Sequence, residues 1–175
     1  MKKSFGEIAA SRRSVRHYTD EPIRRERLEH ILTTALLAPT SWGEKVVEFV
    51  VVEDREMLRR LAACKRIGAP SVAAATAAVV VLVNRDASKL WIEDGSVAAT
   101  YVLLGAEEEG IGACWNQIRD RQGQAASAAD EIRGLLHIPE SYGVLCIIAL
   151  GQKGEHKQPK KPGEMPLKNI HWGKF

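Results

Sequence analysis

Arginines at positions 12, 13 and 16 surround a lone serine, Ser14, in the stretch "SRRSVRHYTD" that runs from Ser11 to Asp20. Guanidinium groups gathered at one bend either meet an anion or form a solvated basic turn that pairs with a nearby carboxylate such as Glu21 or Glu26. The concentration is local, because 25 Lys and Arg face 22 Asp and Glu for a formal charge of +3. That balance is too even for nucleic acid as the main partner. Other residue types that carry chemistry are poorly arranged. His17, His30, His137, His156 and His171 show no metal spacing and no HExxH, so no metal site is expected. Ser14 and Ser41 lack a nucleophile elbow, and Glu93 and Asp94, as neighbours on a helix, point apart. The glycines of "GAEEEGIG" (105–112) match neither a dinucleotide fingerprint nor a phosphate loop, and they follow a helix rather than a strand. Cys64, Cys114 and Cys146 form no CxxC pair and read as reduced, buried thiols.

The elements that must position these residues follow from periodicity. At 175 residues and 45% hydrophobic content the chain is expected to form one domain, 1–175. It has no apolar run of membrane length, and "MKKSFGEIAASRRS" lacks the apolar segment of a secretion signal, so a cytoplasmic location with no membrane partner is expected. "SFGE" (Ser4 to Glu7) has the form of a capping box and starts a helix to about Ala10. Leu28, Ile31, Leu32, Ala35 and Leu36 mark a second helix that Pro39 should end. "VVEFVVVE" from Val46 is a short strand, followed by a helix that Asp54 caps and that turns Met57, Leu58 and Leu61 inward. "AAVVVLVN" is apolar throughout, as a central strand covered on both faces would be.

"KLWIEDGSVAATYVLLGAEEEG" predicts a long helix burying Val97, Ala98, Tyr101 and Leu104, weakened a little by Gly95 and stopped by Gly110. A strand at "IGACWNQI", a helix capped by Ser127 and a buried strand at "YGVLCIIALG" complete the order. Residues 152–175, rich in Lys, Gly and Pro, read as an irregular C-terminal segment. Helices and strands are interleaved without strict βαβ order, which points to an α+β fold, a layered sheet flanked by helices.

In this setting "SRRSVRHYTDEPI" followed by "ILTTALLAPTSW" resembles the start of the nitroreductase family of FMN-binding proteins. "LWIEDGSVAATYVLLGAEEEGIGACW" is similar to that family's long dimer helix and the turn after it, "IPESYGVLCIIALGQ" to its last core strand, and "IHWGKF" to its ending. The resemblance spans nearly the whole chain in the right order. It implies a nitroreductase-like fold, bound FMN, NADH or NADPH as reductant, a small-molecule electron acceptor (a nitroaromatic, a quinone or a flavin) and a homodimer. The flavin's phosphate would be met by Arg12, Arg13 and Ser14, with Arg16 reaching the phosphate or the pyrimidine edge. Planar guanidinium forks suit phosphate oxygens.

The resemblance further implies that Pro39, Thr40 and Ser41 cover the flavin of the neighbouring subunit, and that Cys114, Trp115 and Asn116 lie beside the flavin's reactive edge, where backbone amides hold it. Lys161, or its neighbour Lys160, would supply a late basic contact to phosphate. Arg16 and Lys45 are the candidates for the positive charge that stabilises the reduced flavin. No side chain is an obvious general acid. Asp94 sits where the family often has an acidic residue, and an inter-helix ion pair is its expected role. The chain departs from the family pattern at Gly43 to Val47, where many relatives carry amides and an indole, and it is short for the family. A wide, promiscuous acceptor site is therefore expected. The alternative on the same fold is a protein that carries, senses or degrades flavin without NAD(P)H-driven turnover.

Overall fold

The computed structural model describes residues 3–175. Helix α1 (Phe5–Ser11) is closed at its start by reciprocal hydrogen bonds between Ser4 and Glu7, the expected capping box. Helix α2 (Arg25–Ala35) ends at Ala35, earlier than Pro39 would require. The Leu37 and Ala38 amides reach back only three residues, to the carbonyls of Thr34 and Ala35, at 3.1 Å each. The last turn therefore tightens before the proline arrives, which spares Ala38 the helical conformation that a following proline disfavours. Then come β1 (Val47–Val52), α3 (Arg55–Ala63), α4 (Pro70–Ala73), β2 (Ala77–Asn84), α5 (Trp91–Glu108), β3 (Ile111–Gln117), α6 (Ala128–Leu136) and β4 (Tyr142–Gln152). Asp54 and Ser127 cap α3 and α6 with their side chains. Gly110, at φ +70°, follows the end of α5, a conformation open to glycine at little strain.

The four strands form one antiparallel sheet in the order β1-β2-β4-β3. The two apolar strands, β2 and β4, are its interior, and helices cover both faces. Ala78, Val80 and Leu82 point toward α3, α4 and α6, while Ala77, Val79 and Val81 point toward α2 and α5. A register shift between Val81 and Leu82 leaves Leu145 of β4 without an opposite residue, so Leu145 and Cys146 both join the α2/α5 core.

Packing of α5 departs from expectation. Its buried stripe is Gly95, Ala98, Ala99, Val102, Gly105 and Ala106, and Val97, Tyr101 and Leu104 are only half-buried. Small residues let the helix approach the sheet closely. A Cβ at Gly95 would lie 2.9 Å from both Leu145 Cδ2 and Val83 Cγ2, so Gly95 serves that approach more than it weakens the helix. Cys64, Cys114 and Cys146 are free and buried. After Gln152 the chain is irregular, with short 3-10 turns at Pro162–Glu164 and Leu167–Asn169.

Candidate active site at the arginine bend

The arginine bend is stitched to the outer edge of β3. Arg12 caps the end of α1, Ser14 bridges to Ala113 in parallel, and the Val15 amide donates to the Ala113 carbonyl at 2.9 Å. Further along, Tyr18 bridges to Lys153 and the Thr19 amide donates to the Gln152 carbonyl at 3.1 Å. Two glycines that pair across the sheet, Gly112 and Gly151, make room for this. A Cβ at Gly112 would stand 2.8 Å from Val15 Cγ1, and one at Gly151 2.7 Å from the Tyr18 ring. The Tyr18 hydroxyl donates to the Val15 carbonyl at 2.6 Å, and burial pushes its pKa far above the ordinary phenol value.

The segment after β4 then runs back along the bend. The Gly154 amide donates to the His17 carbonyl and the Lys160 amide to the Ala10 carbonyl, both at 2.9 Å. Lys157 Nζ donates to the Ser14 carbonyl at 2.6 Å, and the Arg13 guanidinium donates to the Gln158 carbonyl. Glu155 accepts from the Arg16 amide at 2.6 Å. That backbone bond, against a burial penalty and helped by Lys157, holds its carboxyl below the usual range. Between the two segments lies a cavity of about 190 Å³ whose walls include Lys3, Arg13, Glu107, Lys153, Glu155 and Lys157.

Glu107 of α5, its side chain only 5% exposed, takes Lys3 at 2.9 Å and Lys153 at 2.6 Å. Burial opposes its charge, and hydrogen bonds from Lys153, Lys3 and Ser11 outweigh that opposition, so its carboxyl lies below the ordinary value. Among the described residues neither Arg12, Arg13 nor Arg16 pairs with a carboxylate, which removes the basic turn paired with Glu21 or Glu26. The guanidiniums of Arg12 and Arg16 have no hydrogen-bond acceptor in the described structure, and the cations at this edge outnumber Glu107 and Glu155. Such a donor set fits a phosphate dianion.

The late lysine nearest the bend is not the expected one. Lys161 turns to Glu164 at 3.1 Å with its side chain 77% exposed, and Lys160 approaches only through its backbone. Lys157 is the residue whose ammonium reaches Ser14. Nothing in "KGEHKQPKKP" marks Lys157 out, since its role depends on how the irregular segment folds back.

Cys114, Trp115 and Asn116 alternate across β3. The side chains of Cys114 and Asn116 are buried on the α3/α4/α6 side, where Asn116 Oδ1 accepts from Ser71 Oγ at 2.8 Å and its amide donates to the Cys114 carbonyl at 3.1 Å. The Asn116 side chain is thus engaged in the core. Trp115 lies on the opposite face and donates from Nε1 to Gln117 Oε1 at 3.0 Å. Because Ala113 directs its carbonyl outward to Val15, antiparallel alternation turns the backbone groups of Trp115 and Gln117 to the same open edge.

Pro39, Thr40 and Ser41 stand at the diagonal corner of the sheet from the bend. They precede β1, the opposite edge strand, which lies roughly 14 Å from β3 at the usual strand spacing, and they stand at the other end of the sheet. Asp94 is 3% exposed and, among the described residues, makes no ion pair with another helix. Its Oδ1 accepts from Ser41 N at 2.7 Å and Ser41 Oγ at 2.9 Å, and its Oδ2 from Ser88 Oγ at 2.7 Å. The expected inter-helix pair is thereby replaced by a clamp that ties the loop to the start of α5, because the serines supply its donors. Trp42 follows at φ 60° and is 96% exposed. A cleft of about 450 Å³ opens here between Leu36, Leu37, Pro39, Lys45, Val46 and Ala98. Lys45, exposed on its rim, is far from Arg16, and one chain does not bring the two together.

An antiparallel sheet covered on both faces, with a cationic bend on its edge strand, defines an α+β class with an anion site at the sheet edge. Comparison with known proteins makes the class specific: the chain belongs to the nitroreductase family, matching the sequence profile described as "Nitroreductase family" over residues 9–81 and 68–152. It is 36% identical over 151 residues, 84% of either chain, to a protein of Archaeoglobus fulgidus provisionally named NADH dehydrogenase/NAD(P)H nitroreductase. It is 26% identical over 171 residues to the FMN reductase [NAD(P)H] of Bacillus subtilis, covering 87% of this chain and 68% of that one. Among solved structures, an FMN-dependent nitroreductase from Clostridium difficile R20291 superposes with a TM-score of 0.92 at 37% identity, over 97% of this chain and 99% of that one. The fold is the nitroreductase fold. Among the described residues no helix is long and apolar enough to cross a membrane.

Proposed function

We propose that this protein is an FMN-dependent oxidoreductase, one domain over residues 1–175, which takes electrons from NADH or NADPH and delivers them to a small electrophilic acceptor in the cytoplasm. The observation that carries the reading is the set of Arg12, Arg13 and Arg16 on the β3 edge with no carboxylate partner among the described residues. Arg12 and Arg13, with Ser14 and Lys157, would hold the phosphate and ribityl chain. Arg16 would place positive charge at the pyrimidine end. The outward backbone of Trp115 and Gln117 would fix the ring beside Cys114 and Asn116. FMN, when bound, supplies the hydride and electron transfer. No acid among these residues is placed to donate a proton, so water or substrate supplies it. Lys161 keeps at most a long-range electrostatic part.

A homodimer supports this site better than a single chain does, since Pro39, Thr40 and Ser41 lie at the far corner from the bend and would serve a neighbouring subunit's flavin. Leu36, Leu37 and Trp42 are exposed by 60%, 75% and 96%, and Val97, Tyr101 and Leu104 are half-buried on α5. Leu167, Trp172 and Phe175 of the C-terminal segment are also exposed, by 74% or more. Apolar surface on that scale is what a second copy would cover.

The test is a visible spectrum of the purified protein, followed by anaerobic NADH and NADPH. A flavin spectrum that bleaches with either nucleotide is expected, with FMN bound in preference to riboflavin. Arg12→Ala should weaken FMN by about 1.5–3 kcal/mol, the worth of a hydrogen bond between charged groups. Equal affinity for riboflavin would remove the phosphate assignment, and a flavin that no nucleotide bleaches would favour a flavin carrier or sensor.

A further inference from the structure

At the other end of β3 the chain builds a second cationic cavity. It measures about 530 Å³ and is walled by Arg85, Arg119, Arg121 and Arg133, with Trp91 and a single carboxylate, Asp120, among the other lining residues. The size is that of an ordinary small-molecule pocket. Its position is set by the sheet register: Gln117 pairs with Cys146, and β4 opens at Tyr142 against Asn84 of β2. The cavity therefore lies beyond the last pairs of β2, β3 and β4, while the arginine bend sits at Ala113 near the start of β3.

Two of the four arginines are occupied by structure. Arg85 donates to the Glu140 carbonyl, and Arg133 donates to the Tyr142 carbonyl at 3.3 Å and pairs with Asp130. The other two keep donors free. Arg119 pairs through Nη1 with Asp120, but its Nε is buried and meets no acceptor among the described residues, a donor left unpaired at a cost to the fold. Arg121 is exposed and has no side-chain partner among the described residues. Asp120, the residue between them, is held at φ 59°, a left-handed conformation unusual outside glycine.

The Trp91 ring, also in the lining, lies against the backbone of Gly143, where a Cβ would stand 2.7 Å from two ring atoms. The indole is thus fixed in place while it lines the cavity. An unpartnered guanidinium, a second with a free Nε–H and an aromatic surface are the elements that recognise phosphate and a planar base. A phosphomonoester brings roughly −1.5 to −2 at neutral pH, which suits four arginines set against Asp120 and Asp130.

We propose that this cavity binds a nucleoside diphosphate moiety, its phosphates on Arg119 and Arg121 and its base toward Trp91. The moiety is either half of a dinucleotide or a free nucleotide.

Calorimetric titration of the intact protein with ADP, adenosine and pyrophosphate, in the presence of excess FMN, tests this. ADP should bind while FMN stays bound, and adenosine and pyrophosphate should each bind at least about tenfold more weakly, since each lacks one of the two recognised parts. Arg121→Ala, at an exposed position where folding is not at risk, should weaken ADP about tenfold or more and leave FMN affinity unchanged. Gly143→Ala, which must move the indole, should weaken ADP and not pyrophosphate. Competition between ADP and NADPH identifies the dinucleotide as the source, and simultaneous binding identifies a free nucleotide. The proposal is overturned if ADP does not bind, if FMN displaces it, if Arg121→Ala binds it as wild type does, or if pyrophosphate matches ADP.

Discussion

Replacing Asp94 should loosen the Pro39–Ser41 loop, and the size of the effect can be worked from its three hydrogen bonds. In Asp94→Ala the Ser88 hydroxyl, on a residue 6% exposed, loses its acceptor without access to water, at about 1–3 kcal/mol. Ser41 is half-buried, so water replaces part of what its amide and hydroxyl lose. A total near 3 kcal/mol follows, or roughly 6–12 °C in Tm for a chain of this size. Asp94→Asn keeps the shape and one oxygen for Ser41, and the Ser88 hydroxyl can reverse to accept from the amide. It gives up only the charge assistance, about 1–2 kcal/mol.

The difference between wild type and Asp94→Asn also depends on pH. Burial works against the Asp94 charge, yet the hydrogen bonds from Ser88 and Ser41 outweigh it and hold the carboxyl below its ordinary value. A depressed folded pKa means stability that is present above the unfolded value of about 3.9 and lost as pH falls through the folded one. The two proteins should therefore converge below about pH 4. Urea unfolding across pH, with hydrogen exchange of the Ser41 amide as the local readout, measures both. Asp94→Ala within about 0.5 kcal/mol of wild type, or an Asn variant as damaged as the Ala variant, would refute the clamp.

Gly95→Ala should destabilise by about 1–2 kcal/mol in thermal unfolding, although alanine favours helix by nearly 1 kcal/mol, because the new methyl meets Val83 and Leu145 in a packed core. Glu107→Gln should cost about 1–2 kcal/mol at neutral pH, modest because Lys3 and Lys153 are 47% and 31% exposed and return to water. Its folded carboxyl is depressed, so the loss should vanish as pH falls below about 4.3, as denaturant titrations at neutral and acid pH would show. Deleting residues 164–175 should shift sedimentation from dimer toward monomer and release flavin in the same samples, and an intact dimer with flavin retained would deny that segment a part in assembly.

The chain's local chemistry was legible wherever neighbours in sequence are neighbours in space. The Ser4–Glu7 box, the Asp54 and Ser127 caps and the stop at Gly110 each involve partners within a few residues. Strands β2 and β4 betrayed their interior places because a strand covered on both faces cannot carry polar residues. Arg12, Arg13 and Arg16 stood out because like charges crowded into five positions need an external reason. The rest depended on contacts that spacing does not encode. Asp94 reads as a helix-surface acid until tertiary packing buries it against Ser41, 53 positions away, and Ser88. Gly95 reads as a weak point until α5 is pressed onto the sheet. Lys157 is one lysine among several until the segment after β4 turns back 143 positions to reach Ser14. Alternation along β3 sends the Asn116 amide into the core and leaves the outer edge to the backbone of Trp115 and Gln117. A residue's type and near neighbours determine what it can bond, and only the folded chain, by bringing distant segments together and excluding water between them, decides which bond it makes.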